Sequence, residues 1–128
     1  MSDCIVMIGA SRAEQEEFVQ KFKKEKPKIC IVSHESTQKQ LYGKRQGKST
    51  KLEKNFLYDK IYTYLAQGKD VLLIDGPFRV SERKQLLGYI NDVEDARVSC
   101  LSFSSARTDK NYQPPTVDEG WQGIANMG

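Results

Sequence analysis

Apolar residues in this chain fall into short unbroken runs, separated by longer stretches in which they recur every third or fourth position. Ile5-Val6-Met7-Ile8 reads as a buried strand bounded by Gly9. Ala13 to Lys24 reads as an amphipathic helix, with Phe18, Val19 and Phe22 on one face, and Pro27 closes it. Ile29-Cys30-Ile31-Val32 is a second buried strand. Ser33 is placed to cap a short helix over Glu35 to Tyr42, stopped by Gly43. Leu52, Phe56, Leu57, Ile61, Tyr64 and Leu65 then mark a long helix ending at Gly68. Asp70 to Asp75, carrying Val71-Leu72-Leu73-Ile74, is the clearest strand. Gly76-Pro77 breaks it, and Ser81 is expected to cap a helix with Leu86, Leu87 and Ile90. Arg97 to Phe103 is a further strand, Ser104 to Pro115 is loop, and the rest has room for one short terminal strand. Strands alternating with helices predict a parallel sheet covered on both faces, with ligands gathering outside the carboxyl ends of its strands.

Composition narrows the class. A chain of 128 residues forms one domain, 1–128, able to bury a core without staples. Charged residues make up 29%, but the net charge is only +3, which argues against a strongly basic nucleic-acid protein. No apolar run approaches the roughly 18 residues of a membrane span, so no membrane is expected, and no signal-peptide pattern opens the chain. The three cysteines, Cys4, Cys30 and Cys100, are widely spaced beside predicted strands, with a single histidine. That arithmetic fits neither a disulfide framework nor a zinc site, and it predicts buried thiols in a reducing, cytoplasmic setting.

The turn after the first strand, Gly9-Ala10-Ser11-Arg12-Ala13-Glu14-Gln15-Glu16-Glu17, stands where a phosphate-binding loop would read G-x-x-x-x-G-K-[ST]. The second glycine, the lysine and the hydroxyl of that pattern fall on Glu14, Gln15 and Glu16. Like charges about 4 Å apart cost about 1 kcal/mol in water and about 4 at an effective dielectric of 20. A helix dipole returns only about 0.3–1 kcal/mol. The turn is expected to do without ATP. Gly43-Lys44-Arg45-Gln46-Gly47-Lys48-Ser49-Thr50 is no substitute, since it has three residues between its glycines and no strand before it.

Several segments in order resemble the polynucleotide-kinase-like branch of the P-loop kinases. Val32-Ser33-His34-Glu35-Ser36-Thr37-Gln38 with Leu41-Tyr42-Gly43 is similar to that family's V-S-x-D-x-x-R…L-Y-G, and Gly68 to Asp75 to its G-x-x-V-I-I-D strand. Gly76-Pro77-Phe78 stands where the family has T-N-L, and Arg83 falls on a recurrent basic position. Tyr112 to Ile124 resembles its Y-E-x-P-T-x-x-E-G-F-x-x-I ending. The resemblance implies a three-layer P-loop-kinase-like α/β fold, with a parallel sheet of about five strands in the order 2-3-1-4-5. The departures fall on the chemistry. The family's base and substrate arginine are here Glu35 and Gln38, and Ser104 to Asn111 is too short for an arginine-rich lid, so the lid is reduced or absent. Phosphoryl transfer rests on positioning and cationic stabilisation, and those parts are missing together.

The leading expectation is therefore a kinase-like protein without kinase chemistry, acting as a binding or regulatory module with a protein partner. Its ligand or partner edge comprises Gly9, Ser11, Arg12, Ser33, His34, Glu35, Gln38, Asp75, Arg79 and Arg83. No cofactor and no metal are expected. A second reading is a minimal kinase for a nucleic-acid or nucleotide hydroxyl, with Glu35 as base, Asp75 on magnesium, and ATP as donor. Against it stands an ordinary capping role for Asp75 at the Gly76-Pro77 turn. A third is a nucleic-acid module using Lys39, Lys44, Arg45, Lys48, Lys51 and Lys54, for which solvated loop charge is the plainer explanation. Gly43 to Lys54 is expected to be a mobile loop. Trp121 and Tyr112 are the candidates for an aromatic surface, against the ordinary expectation of a buried tryptophan.

Overall fold

A computed structural model describes residues 2–43 and 50–127. Five parallel strands form one sheet in the order β2-β3-β1-β4-β5, as the segment order implies. They are β1 (Ser2–Ile8), β2 (Cys30–Val32), β3 (Val71–Leu73), β4 (Ala96–Ser102) and β5 (Gly123–Asn126). The helices are α1 (Arg12–Glu25), α2 (His34–Tyr42), α3 (Lys51–Ala66) and α4 (Val80–Asn91), and a 3-10 turn spans Val117–Glu119.

The pleat of β1 divides the core. Cys4, Val6 and Ile8 face the side covered by α3 and α4, where they join Leu57, Ile61, Leu86 and Ile90. Met7 faces the side of α1, with Leu72, Phe103 and the partly buried Phe18, Val19 and Phe22. Residues 103–122, between β4 and β5, contain only the 3-10 turn, so α1 is the helix on its face of the sheet among the described residues. A helical lid is absent from that connection, as its length requires.

Four details depart from the sequence expectations. β1 starts at Ser2, because it pairs in register with β4 from Ser2↔Ala96 onward, which extends it through polar residues. Helix α3 begins at Lys51, inside the expected loop, because Thr50 and Glu53 form a capping box at its start. The rest of that loop, with Lys44, Arg45 and Lys48, lies outside the described residues. The cap of α4 is Arg79 rather than Ser81, and the Gln113 side chain accepts from Val80 N at 2.7 Å, so a distant loop supplies the cap. Cys4 and Cys100 are buried, but Cys30 is only half-buried, since β2 is an edge strand.

Candidate functional site

A cleft of about 390 Å³ opens at the carboxyl ends of β1 and β3, where ligands collect on parallel sheets. Gly9, Ala10 and Gln15 line it from the first turn, His34 from α2, Ile74 to Arg79 from the segment after β3, Glu82 from α4 and Asn111 from the last loop. Gly9 has φ +82° there, and a Cβ on it would stand 2.7 Å from Phe103 O, so glycine is required.

Beyond Gly9, Ser11 caps α1 and accepts from Glu14 N at 3.2 Å. The Glu14 carboxylate turns back to accept from Ser11 N at 2.8 Å and from Ser105 Oγ at 2.5 Å. These bonds, Ser105 first and the Ser11 amide second, hold its carboxyl below the usual glutamate range. An amide that a phosphate would take at such a turn is thus bonded to the helix's own carboxylate. Glu16 and Glu17 are exposed further along α1. Neither a lysine nor a hydroxyl follows Glu14 at the positions a polyphosphate and its magnesium need, so the turn does not fit that group.

The Asp75 carboxylate bonds to the start of α2 rather than to the Gly76-Pro77 turn, where Gly76 N donates to Met7 O. It accepts from His34 N at 2.9 and 3.0 Å and from Glu35 N at 3.4 Å, tying the end of β3 to the start of α2. Burial raises its carboxyl above the usual range, although nearby His34 and those amides pull the other way. Ser33, itself buried, accepts from Ser36 N at 2.9 Å as the cap of α2. Glu35 is held by Arg12 at 3.0 Å and Lys39 at 3.4 Å, and the Arg12 bond leads in lowering its carboxyl. Arg79 donates to Asn111 Oδ1 at 3.0 Å at the exposed rim.

Two residues placed on the ligand edge by the sequence lie in buried networks. Arg83, 0% exposed, forks onto Glu119 at 2.7 and 3.1 Å and donates to the carbonyls of Pro77, Phe78 and Pro114. It fastens the C-terminal segment to the start of α4. Gln38 is buried and donates to Glu53 Oε2 at 3.1 Å. Trp121 is buried too, its Nε1 donating to Glu119, and Tyr112 is half-buried against Phe78. Of the basic residues, Lys39 pairs with Glu35, Lys54 pairs with Glu82 at 3.1 Å, and Lys51 is exposed on the first turn of α3.

Sequence reasoning missed Glu53. It is 0% exposed, with His34 Nδ1 3.2 Å from its Oε1, and Thr50-Lys51-Leu52-Glu53 carries the S/T-x-x-E signal that marks it as a cap. Glu82 and Asn111 also escaped, because only the folded chain brings α4 and the last loop to the cleft. Among the described residues no cluster of three or more histidine, cysteine or carboxylate side chains could hold a metal ion, and no helix is long and apolar enough to cross a membrane.

No protein-family model matches the sequence, and no curated protein matches it. Solved structures do match the fold. A fungal RNA kinase superposes with a TM-score of 0.63 at 13% identity, covering 99% of this chain and 75% of its own. A gluconokinase from Sinorhizobium meliloti gives 0.51 at 12% identity, covering 97% and 81%. A putative kinase from Chloroflexus aurantiacus gives 0.52 at 12% identity, covering 80% of this chain, which spans only 58% of that protein's length. At these identities the likeness is one of fold: the chain is built on the α/β architecture of these P-loop-like kinases.

Proposed function

We propose that this protein is a kinase-fold binding or regulatory module that does not transfer phosphate, and that it meets its ligand or protein partner at the cleft along the carboxyl edge of the sheet. The observation that carries this reading is Glu14. Its carboxylate occupies the Ser11 amide at the start of α1 and is braced by Ser105 from the loop that replaces a lid. A phosphate brought there meets a fixed negative charge and has no lysine to offset it. Of the groups of the minimal-kinase reading, Glu35 is similarly engaged, by Arg12 and Lys39.

Thermal melting with and without ATP and magnesium tests the reading. A ligand at 100 times its Kd stabilises a fold by about 2.7 kcal/mol. The expected result at millimolar ATP is an unchanged Tm. A Tm that rises with ATP, together with label transfer to any acceptor hydroxyl, would sink it.

A further inference from the structure

The single histidine of this chain stands at the start of α2 between two carboxylates that no lysine or arginine pairs with among the described residues. Glu53 lies behind it, wholly buried, with Oε1 3.2 Å from His34 Nδ1. The other oxygen of Glu53 accepts from Gln38 Nε2 at 3.1 Å and Thr50 N at 3.4 Å. A carboxylate only accepts, so the Glu53 bond requires the proton of the neutral imidazole to sit on Nδ1. Nε2 is then an acceptor. It makes no hydrogen bond among the described residues, and His34 lines the cleft. Tyr58 packs edge-on against the ring, with the ring centres 6.3 Å apart.

The Asp75 carboxylate is anchored to the same end of α2 by the His34 amide and lines the same cleft. Its bonds from backbone amides leave lone pairs unused. The other charges around the ring are compensated: Glu35 by Arg12 and Lys39, and Glu82 by Lys54. Arg79 stands at the exposed rim and is bonded to Asn111. Ala10, Ile74, Pro77 and Phe78 supply an apolar wall.

We propose that the Glu53–His34 pair makes Nε2 a fixed hydrogen-bond acceptor, and that the cleft takes a protonated amine bound between His34 Nε2 and the Asp75 carboxylate. The ammonium donates to both acceptors, and its methylenes lie along the apolar wall. Glu53 is a positioning residue, acting through the tautomer it selects. This assignment rests on the binding role proposed above and names the chemistry that role serves.

The test is the two-bond 15N–1H spectrum of the labelled full chain at neutral pH, in which one histidine gives one unambiguous ring pattern. The expected spectrum is that of the Nδ1–H form. In Glu53→Gln the pattern moves toward the Nε2–H form, provided the variant keeps the wild-type backbone spectrum. Added n-butylammonium shifts the His34 ring signals, Asp75→Asn abolishes that response, and inorganic phosphate leaves the signals in place. An Nε2–H pattern in the wild type overturns the proposal without recourse to any variant. So does a folded Glu53→Gln with an unchanged tautomer, or a ring that answers phosphate or neither probe. ATP binding alongside an intact Nδ1–H pattern and amine response would count against the function above, not against this assignment.

Discussion

Replacing Arg83 with methionine separates a structural arginine from a ligand-binding one. The methionine fills much of the same space but removes the guanidinium, leaving Glu119 buried with its principal counter-charge gone. At about 3 Å and an effective dielectric of 20, the gross attraction of such a pair is about 5 kcal/mol. Desolvation of two ions offsets most of that, so the pair itself stabilises little. Removing one partner is different, costing about 3–5 kcal/mol because an uncompensated charge stays inside. The carbonyls of Pro77, Phe78 and Pro114 lose a donor as well. Against a total stability of about 5–15 kcal/mol, such a loss brings the domain near unfolding. Urea denaturation followed by the fluorescence of Trp121, the sole tryptophan, reads it directly. With a slope of about 1–3 kcal/mol/M, the midpoint falls by about 2 M. The double variant R83M/E119Q is expected to be no less stable than R83M, with a coupling of at least about 2 kcal/mol. A loss below about 1 kcal/mol in R83M, or strictly additive single and double variants, would refute the structural assignment.

Other outcomes follow from the same structure. Glu119 and Glu14 have carboxyls held below their usual range in the folded state, Glu119 by Arg83 against the opposing effect of burial and Glu14 chiefly by Ser105. Their contribution is complete above the unfolded value of about 4.3 and is lost as pH falls through the folded ones, so urea midpoints are expected to drop below about pH 5. Asp75, raised by burial, has the opposite sign and offsets part of the drop. Burial pushes the thiols of Cys4 and Cys100 up to about 12, so a thiol reagent at pH 8 should label the half-buried Cys30 first and all three only after denaturation. Rapid labelling of Cys4 in the native protein would contradict the sheet assignment. Gly9→Ala places a Cβ against Phe103 O at a positive φ, and should destabilise by more than about 1 kcal/mol in the same urea assay.

The sheet was legible because its information is local. Ile5 to Ile8 and Val71 to Ile74 announce strands by composition, Gly9 and Gly43 mark boundaries, and Ser33 signals its cap within three residues. The loss of a phosphate-binding lysine is also local, and Ser11-Arg12-Ala13-Glu14 already spells the capping box that closes the turn. What escaped depends on partners far along the chain. Arg83 reads as a free cation near the sheet edge until Glu119, 36 positions later, folds against it. Gln38 stands where the resemblance has a substrate arginine, yet its use is set by Glu53 on the next helix. Ser81 looked like a cap because nothing nearby competed, while the actual acceptor, Gln113, arrives from the loop before β5. Trp121 lies in a polar stretch, and its burial follows from the packing of the C-terminal segment against the core beneath α4.

Calorimetric titration of the purified chain with ATP and magnesium at low salt tests the central claim most directly, since Glu14 either fills the phosphate position or yields it. No saturable heat is expected up to millimolar nucleotide. Saturable binding that is abolished by Asp75→Asn would contradict it, and would show that the first turn opens to a polyphosphate despite the bonds that Glu14 makes to Ser11 and Ser105.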